Sequence, residues 1–250
     1  MKGLLRLAVL LLLAGIDLQL YFVARIALMA VVNPESTAFE RSAVYNVVAN
    51  TGSLKWRQQW MPYEDISDNL KKAVIASEDA SFNAHEGVDV EALEKAWEKN
   101  VKADARAEQR LQQSANRPSS NKAPAKPPKI IGGSTITQQL AKNLFLSGER
   151  TLLRKGQELV LTLLLEQLLS KQRILEIYLN NVEWGEGVFG AEAAAHYYYR
   201  KPAIKLSAYE AARLAVMLPR PKYFEMRPNS GYLSSRASTI AARMGGVEIP

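Results

Sequence analysis

The most hydrophobic part of the chain is its N-terminal segment, where Leu7 to Ile16 contains no polar residue and apolar residues continue to Val32. The uninterrupted core is shorter than the roughly 18–20 apolar residues of a clean membrane span, so a secretory signal peptide is an alternative to an anchor. No Ala-x-Ala-like cleavage site follows this core, which favours an uncleaved transmembrane anchor over residues 1–32. Lys2 and Arg6 precede it, so we expect a cytoplasmic N-terminus and the remaining chain outside.

Residues 33–61 follow as a membrane-proximal connector. The valines near Asn50-Thr51-Gly52 predict irregular chain or a short strand there. Ser67 then predicts a helix, because its hydroxyl can cap a segment with apolar residues on one side. That helix is expected to end at Glu78–Asp79.

The segment EDASFNAHEG, residues 78–87, places two carboxylates at the end of the predicted helix. A helix C-terminus disfavours negative charge, and burial raises a carboxyl pKa, so Glu78 or Asp79 could titrate near neutrality as a general acid or base. The alternative is a solvated acidic turn in which His85 is a surface ion-pair partner.

A charged helix is predicted from Val88 to Ala115, and it becomes polar on all sides after Lys102. Residues 116–129 are rich in proline, serine and lysine and cannot bury a core. Residues 102–129 are therefore predicted to form a basic, mobile insertion, with seven basic and two acidic residues that supply +5 of the net charge of +7. We expect an insertion without specific chemistry, although a functional loop with weak affinity for an anionic membrane is the alternative.

The segment Gly132–Leu146, GGSTITQQLAKNLFL, is unusually rich in uncharged hydrogen-bonding side chains. Thr135-x-x-Gln138 matches a capping box that opens a helix. Thr135, either Gln138 or Gln139, and Lys142 then recur on one face of it. Free N–H groups and the positive end of the helix dipole would favour an anionic ligand such as a phosphate, whereas the alternative is a solvated first turn.

Two further helices are predicted between Thr151 and Asn181, with a break at Ser170–Lys171. The first is apolar on nearly every side and is expected to run through the middle of the core. It also carries Arg154 and Glu158, four residues apart, which indicates either an ordinary salt bridge or a functional pair.

The rest of the chain also reads as helical. Residues 183–190 predict a glycine-rich turn, followed by a small-residue helix that ends in three tyrosines. Ser207-x-x-Glu210 is another capping box, and Arg236–Met244 predicts a last short helix. No strand-like alternation is convincing, so the fold class is predicted as mainly α.

Composition limits the chemistry. The chain contains no cysteine and two histidines, which makes a zinc site improbable and excludes thiol catalysis. The positive charge suggests an anionic partner, but a chain carried across the membrane rarely meets nucleic acid, so none is expected.

Five blocks in this order resemble the peptidoglycan glycosyltransferase family, which also forms the first domain of bifunctional penicillin-binding proteins. Together they cover roughly residues 62–244, and no transpeptidase half accompanies them, so the resemblance is to the monofunctional, membrane-anchored enzymes. The blocks are Glu78-Asp79-x-x-Phe82-x-x-His85-x-Gly87, GGSTITQQLAKN, Arg154-Lys155-x-x-Glu158, SKQRILEIYLNNVEWGEGVFGAEAAAHYY and EAARLAVMLPRPKYF.

This resemblance implies a lysozyme-like, two-lobed helical domain over residues 62–244, with a short tail at 245–250, behind a single membrane helix. It implies that the enzyme polymerises lipid II, transferring a glycan from undecaprenyl pyrophosphate to the 4-hydroxyl of an N-acetylglucosamine with inversion. The expected location is the inner membrane with a periplasmic catalytic domain. Expected partners are lipid II, the growing glycan, the membrane and other cell-wall synthesis or division proteins.

The resemblance also implies roles for individual residues. Glu78 matches the general base, and Glu158 matches a second acidic residue that assists the pyrophosphate side or binds a divalent cation, Mg²⁺ or Mn²⁺; no other cofactor is implied. Lys142, Arg154 and Arg150 match pyrophosphate-binding residues. The residues expected to line or shape the cleft are Thr135, Gln138, Gln139, Asn143, Asp79, Phe82 and His85.

Two other functions compete with this one. A membrane-anchored, lysozyme-like enzyme that cleaves glycan would also use one glutamate in a helical cleft, but it would not need Lys142 and Arg154. An inert cell-wall scaffold would not need Glu78 and Glu158 together.

Overall fold

A computed structural model describes residues 2–115, 132–146, 149 and 151–250. The chain divides into two compact units, one made of residues 1–87 and 135–250, the other of residues 88–134. Residues 116–129, half of the predicted 102–129 insertion, lie outside the described residues, and the other half belongs to a helix described below.

The described residues are mainly α-helical, which confirms the predicted fold class. The helices are α1 (Lys2–Leu28), α2 (Ala38–Thr51), α3 (Asp68–Glu78), α4 (Val90–Ala115), α5 (Ile136–Phe145), α6 (Leu152–Leu168), α7 (Lys171–Asn181), α8 (Ala191–Tyr199), α9 (Ala208–Met217), α10 (Pro221–Glu225) and α11 (Gly231–Arg243). Single 3-10 turns lie at Tyr63–Asp65, Ala203–Lys205 and Met244–Gly246, and the strands are β1 (Glu183–Gly185) and β2 (Val188–Phe189).

Helix α1 is 27 residues long and apolar enough to cross a membrane. Most of it is exposed, but Phe22 and Ile26 near its C-terminal end are buried. The ring of Phe22 meets the edge of Phe145 on α5, with 5.3 Å between centroids. The amides of Gln19 and Gln157 on α6 exchange hydrogen bonds of 3.1 and 3.3 Å. Specific contacts therefore attach α1 to α5 and α6.

The connector contains helix α2, so the prediction of irregular chain or a short strand there is wrong. The missed signal is a capping box, in which the Thr37 hydroxyl accepts from Glu40 N at 3.0 Å and the Glu40 carboxylate accepts from Thr37 N at 2.8 Å. Gly52 ends the helix in the left-handed conformation, with φ 67°. Glu40 also accepts from Gln58 Nε2 at 3.2 Å, which holds the chain after α2.

Helix α3 lies in the core, packed against α9 and α11. The Ser67 hydroxyl accepts from Asn69 N–H and donates to the Leu206 carbonyl, which confirms the predicted cap and joins it to another part of the chain. Leu70 and Val74 on the apolar side of α3 are fully buried. This packing fixes the position at which α3 ends.

Helix α6 does not run through the middle of the core, contrary to prediction. Only one side of it is buried, at Leu161 and Leu165 among others, while its other side is exposed although it is apolar. The prediction fails because hydrophobic periodicity identifies the apolar sides of a helix but does not show whether each side contacts protein or another apolar medium. The exposed side chains are Leu152 (93%), Leu153 (86%), Leu159 (44%), Val160 (42%) and Leu163 (45%).

Two other predicted helix starts, those of α7 and α9, are confirmed, and that of the last helix differs. The break at Ser170–Lys171 separates α6 from α7, and Ser170 caps α7 by accepting from Arg173 N. Ser207 and Glu210 form the predicted capping box of α9. The last helix begins at Gly231, earlier than predicted.

The predicted glycine-rich turn is a small hairpin in which β1 and β2 pair antiparallel. Arg57 adds a parallel bridge, with its N–H donating to Gly187 O at 2.8 Å and its carbonyl accepting from Phe189 N at 2.9 Å. Gly187 has φ 71°, and a Cβ there would lie 2.2 Å from the carbonyl oxygen of Lys55. Strands of two or three residues are too short to produce the alternation by which strands are predicted.

The second unit contains the long helix α4, which confirms the charged helix predicted as far as Ala115. Asp89 caps its start by accepting from Ala92 N at 2.7 Å. Within this unit Gly133 lies against Leu93, where an added Cβ would have a 3.2 Å contact with the helix backbone.

We predict that Glu40 makes the stability of the protein depend on pH. Burial raises the pKa of this carboxyl from 4.5 to about 7, so the folded state binds a proton that the unfolded state releases between these values. The free energy of unfolding should therefore rise as pH falls from 8 to 5, by at most roughly 3 kcal/mol from this group. Thermal unfolding in detergent across this pH range measures the effect.

Glu40→Gln should remove that rise, because glutamine does not titrate. Glu64→Gln, at an exposed glutamate, is the matched control and should keep the wild-type profile. An unchanged pH profile in Glu40→Gln would contradict the prediction.

Candidate active site

Glu78, the last residue of α3, is at the centre of the site. Its Oε1 accepts from Ser77 Oγ and its Oε2 from Gln139 Nε2, each at 3.2 Å. Burial raises its pKa above the ordinary value, the hydrogen bonds from Gln139 and Ser77 oppose the rise, Asp79 adds to it, and Arg236 opposes it. A partly buried carboxylate with a raised pKa is suited to accept a proton near neutral pH.

Gln139, not Gln138, faces this carboxylate. Tyr178 OH donates to Gln139 Oε1 at 3.0 Å, which orients the amide so that its Nε2 points to Glu78. Gln138 is buried and its Oε1 accepts from Thr135 N at 3.2 Å, completing the predicted capping box. Of the two glutamines, Gln139 therefore contacts Glu78, and Gln138 caps the start of α5.

Asp79 joins the end of α3 to the start of α5. Its Oδ2 accepts from Ile136 N at 2.9 Å, and its Oδ1 lies 2.8 Å from His85 Nε2. Since His85 Nδ1 accepts from Gly87 N at 3.1 Å, the network assigns the ring proton to Nε2, which donates to Asp79. The side chain of Asp79 is only 2% exposed, and its two hydrogen bonds connect the end of α3 with His85 and with the start of α5.

The first turn of α5 is therefore not an open phosphate site, contrary to one sequence-based expectation. Ile136 N–H binds Asp79, and Gln138 N–H binds the Thr135 hydroxyl at 3.2 Å. Thr135 also donates to Gly87 O at 2.6 Å and is buried. Protein groups already occupy these donors and this hydroxyl, so Thr135 and Gln138 hold the start of α5 in place.

Phe82 is likewise a core residue, with no exposed surface. Lys171 Nζ lies 4.6 Å from the centre of its ring and donates to His85 O at 2.6 Å. Lys171 also pairs with Glu166, so α7 holds the segment that follows Glu78. Sequence reasoning gave Phe82 a place in the wall of the cleft but did not identify Lys171 beneath it.

A second group of charges surrounds Glu158, which is 4% exposed on α6. Arg154 Nη1 lies 2.8 Å from Glu158 Oε2, so the predicted i,i+4 salt bridge is present. Lys155 binds the other carboxylate oxygen, a contact that sequence reasoning missed although its i,i+3 spacing indicates it. Arg154 Nε is buried and has no partner among the described residues.

Lys142 on α5 belongs to the same group. It is exposed at the surface, but partial loss of hydration lowers its pKa; Glu158 opposes this effect, and Arg154 and Lys155 add to it. The three cations exceed the single carboxylate, so this side of the site attracts anions.

These contacts do not fit the divalent cation expected at Glu158. Arg154 and Lys155 occupy both of its carboxylate oxygens, and the additional charge of Lys142 would repel a metal ion. We therefore assign Glu158 to positioning the basic residues.

Helix α5 brings the two parts of the site together. Gln139 and Lys142 are three residues apart and lie on the same face, roughly 4.5 Å apart along the helix axis. The first contacts Glu78, and the second is close enough to Glu158 to be affected by its charge. Asn143 follows on α5 and is half-buried, whereas Arg150 lies outside the described residues. The result is a carboxylate with a raised pKa, held beside a residue that lies about one helical turn from a cationic surface.

A family model described as Transglycosylase matches residues 45–110 and 120–245. The chain belongs to the transglycosylase family. It is therefore an enzyme of the glycosyltransferase class, as the sequence blocks indicated, and the inert scaffold is not supported.

Several relatives resemble this transglycosylase over most of its length. A Burkholderia thailandensis protein named biosynthetic peptidoglycan transglycosylase is 53% identical over 237 residues, which cover 95% of this chain and 84% of that protein. Proteins of the same name from Burkholderia orbicola and Burkholderia multivorans are each 50% identical over 237 residues, covering 95% of this chain and 87% of each relative.

We predict that Gln139→Leu shifts the pH dependence of glycosyl transfer. The amide donates to ionised Glu78, so its loss should raise the pKa of that carboxyl further and move the acidic limb of the pH–rate profile to higher pH by up to about one unit. Tyr178→Phe removes the hydrogen bond that orients the Gln139 amide but leaves the amide itself beside Glu78. This variant should therefore give a smaller shift of the acidic limb. An acidic limb that stays at the wild-type pH in Gln139→Leu would contradict this assignment.

Proposed function

We propose that this transglycosylase polymerises lipid II into peptidoglycan glycan strands. The 4-hydroxyl of the acceptor N-acetylglucosamine attacks the anomeric carbon of the donor N-acetylmuramic acid. The new O4–C1 bond forms as the bond from C1 to the phosphate oxygen breaks, with inversion at C1. The hydroxyl proton passes to a base, and the bonding electrons leave with undecaprenyl pyrophosphate.

The observation that carries the proposal is the pairing of a raised-pKa carboxylate with a surplus of cations on one face. Glu78 accepts the proton of the acceptor hydroxyl, and Gln139 holds its carboxylate in place. Such a positioned base contributes typically about 10²–10⁴-fold to a rate.

The cations serve the leaving group. Glu158 binds Arg154 and Lys155 and lies close enough to Lys142 to act on its charge, so these cations stabilise the developing charge of the pyrophosphate with little reorganisation. Arg154 Nε, which has no partner among the described residues, is a donor that can bind a phosphate oxygen. Hydrolysis of glycan would release no pyrophosphate, so this arrangement supports synthesis over the glycan-cleaving alternative, as do the names of the relatives.

The location of the enzyme is part of the same proposal. Helix α1 crosses the inner membrane with the N-terminus in the cytoplasm, and the catalytic helices lie on the periplasmic side. The exposed leucines of α6 then enter the outer part of the bilayer, beside α1, where the polyprenyl chain of the substrate lies. Partners among cell-wall synthesis and division proteins stay a prediction.

We expect Glu78→Gln to reduce polymerisation of labelled lipid II by about 10²–10⁴-fold, because glutamine cannot accept the proton. The melting temperature should not fall, since the change removes a partly buried charge. Glu86→Gln, an exposed glutamate eight residues later, removes the same charge from the surface and should retain activity. Wild-type polymerisation by Glu78→Gln would overturn the proposed mechanism.

The anchor is tested by the intact mass of the protein purified from membranes. An uncleaved α1 predicts a mass that includes residues 1–32 and retention in the membrane after alkaline carbonate washing. A mature protein that lacks these residues would show that the segment is a cleaved signal peptide.

A further inference from the structure

A pocket of about 350 Å³ lies where α1 ends and the chain turns toward α2. It is separate from the groups assigned to catalysis. Its lining combines apolar side chains with two arginines, one from the last turns of α1 and one from the first turn of α2. The residues used below are Arg25, Leu28, Met29, Val32, Glu35 and Arg41.

Both arginines have donors to spare. Arg25 Nη1 donates to Tyr21 OH and Arg41 Nη1 donates to the carbonyl and hydroxyl oxygens of Ser36, all at 3.0 Å. A guanidinium carries five N–H donors, so most of them are left for a ligand. Within the part of the chain that the structure describes, neither arginine forms an ion pair.

The walls of the pocket are held by the core. Arg173 on α7 donates to Met29 O at 2.8 Å, to Val32 O at 3.2 Å and to Asn33 Oδ1 at 2.7 Å. The capping box of Thr37 and Glu40 fixes the first turn of α2, which carries Arg41. The pocket is therefore formed before a ligand arrives, which lowers the entropic cost of binding.

The position and composition of the pocket match an amphiphile. If α1 spans the bilayer as proposed above, Arg25 and the Tyr21 ring, 5.8 Å away, lie near the outer interface where arginine and tyrosine are favoured. Leu28 and Val32 are 53% and 48% exposed, so apolar surface runs from the arginines along the end of α1. A phosphate with an attached acyl chain satisfies both the charged and the apolar parts.

We propose that this pocket binds the phosphodiester head group of an anionic phospholipid in the outer leaflet. The proposal rests on the proposed membrane anchor. Arg25 and Arg41 together with Glu35 give the lining a net charge of +1, which matches the single negative charge of a phosphodiester. A polyprenyl pyrophosphate carries more negative charge than this lining neutralises.

The test uses the full-length protein in nanodiscs of phosphatidylcholine with or without phosphatidylglycerol, and native mass spectrometry to count the lipids retained. The wild type should retain phosphatidylglycerol in preference to phosphatidylcholine. Arg25→Gln/Arg41→Gln should bind it about 10–30-fold more weakly, since each basic residue near an anionic lipid contributes about one kilocalorie per mole. Lys205→Gln/Arg243→Gln, which loses the same charge at exposed positions elsewhere, should behave as the wild type.

Equal retention of both lipids by the wild type, or unchanged phosphatidylglycerol binding by the Arg25/Arg41 variant, would overturn the proposal. A third sample adds undecaprenyl pyrophosphate. If the wild type retains it in preference to phosphatidylglycerol and the Arg25/Arg41 variant does not, the pocket binds the reaction product and the phospholipid proposal is wrong. The Arg25→Gln/Arg41→Gln variant is also assayed for polymerisation in detergent without anionic lipid. A pocket that only binds phospholipid predicts wild-type activity under these conditions, so this assay separates the lipid proposal from the proposed function. Failure of the anchor would appear independently as a missing N-terminal segment.

Discussion

The carboxylate of Asp79 is the contact on which the rest of the site depends. It lies immediately after Glu78 and binds the first N–H of α5, so the end of one helix fixes the start of the next. A buried anion at a helix N-terminus is stabilised by the free N–H groups and the dipole, and His85 satisfies its other oxygen. This contact sets the distance between the end of α3, which carries Glu78, and the first turns of α5, which carry Gln139.

Helix α5 connects this contact to the charged residues of α6. Tyr178 orients Gln139, and Lys142 lies one turn further along, near the ion pairs of Glu158. Loss of hydration thus acts on two groups beside α5: it raises the pKa of Glu78 at the end of α3 and lowers the pKa of Lys142 on α5. Both effects come from the loss of water, not from one dominant pairwise interaction.

The sequence predicted those features that depend on neighbours three or four residues away. The caps at Ser67, Thr135 and Ser207 and the pair of Arg154 with Glu158 are of this kind, because local hydrogen bonds follow helix geometry. The capping box of α2 is equally local, but the valines that follow it in the sequence favour a strand. Contacts between distant segments, such as Gln139 with Glu78, could not be derived, and neither could the side of α6 that is left exposed.

The reciprocal amide pair of Gln19 and Gln157 limits how the enzyme can move. A polar pair inside an otherwise apolar helix is costly to separate in lipid, so α1 is expected neither to rotate nor to slide past α6. An anchor joined only by a flexible connector would let the catalytic unit sample many tilts and heights. If α1 spans the bilayer as proposed, this pair is expected to keep α6 and the nearby Glu158 at a constant height relative to the lipid surface.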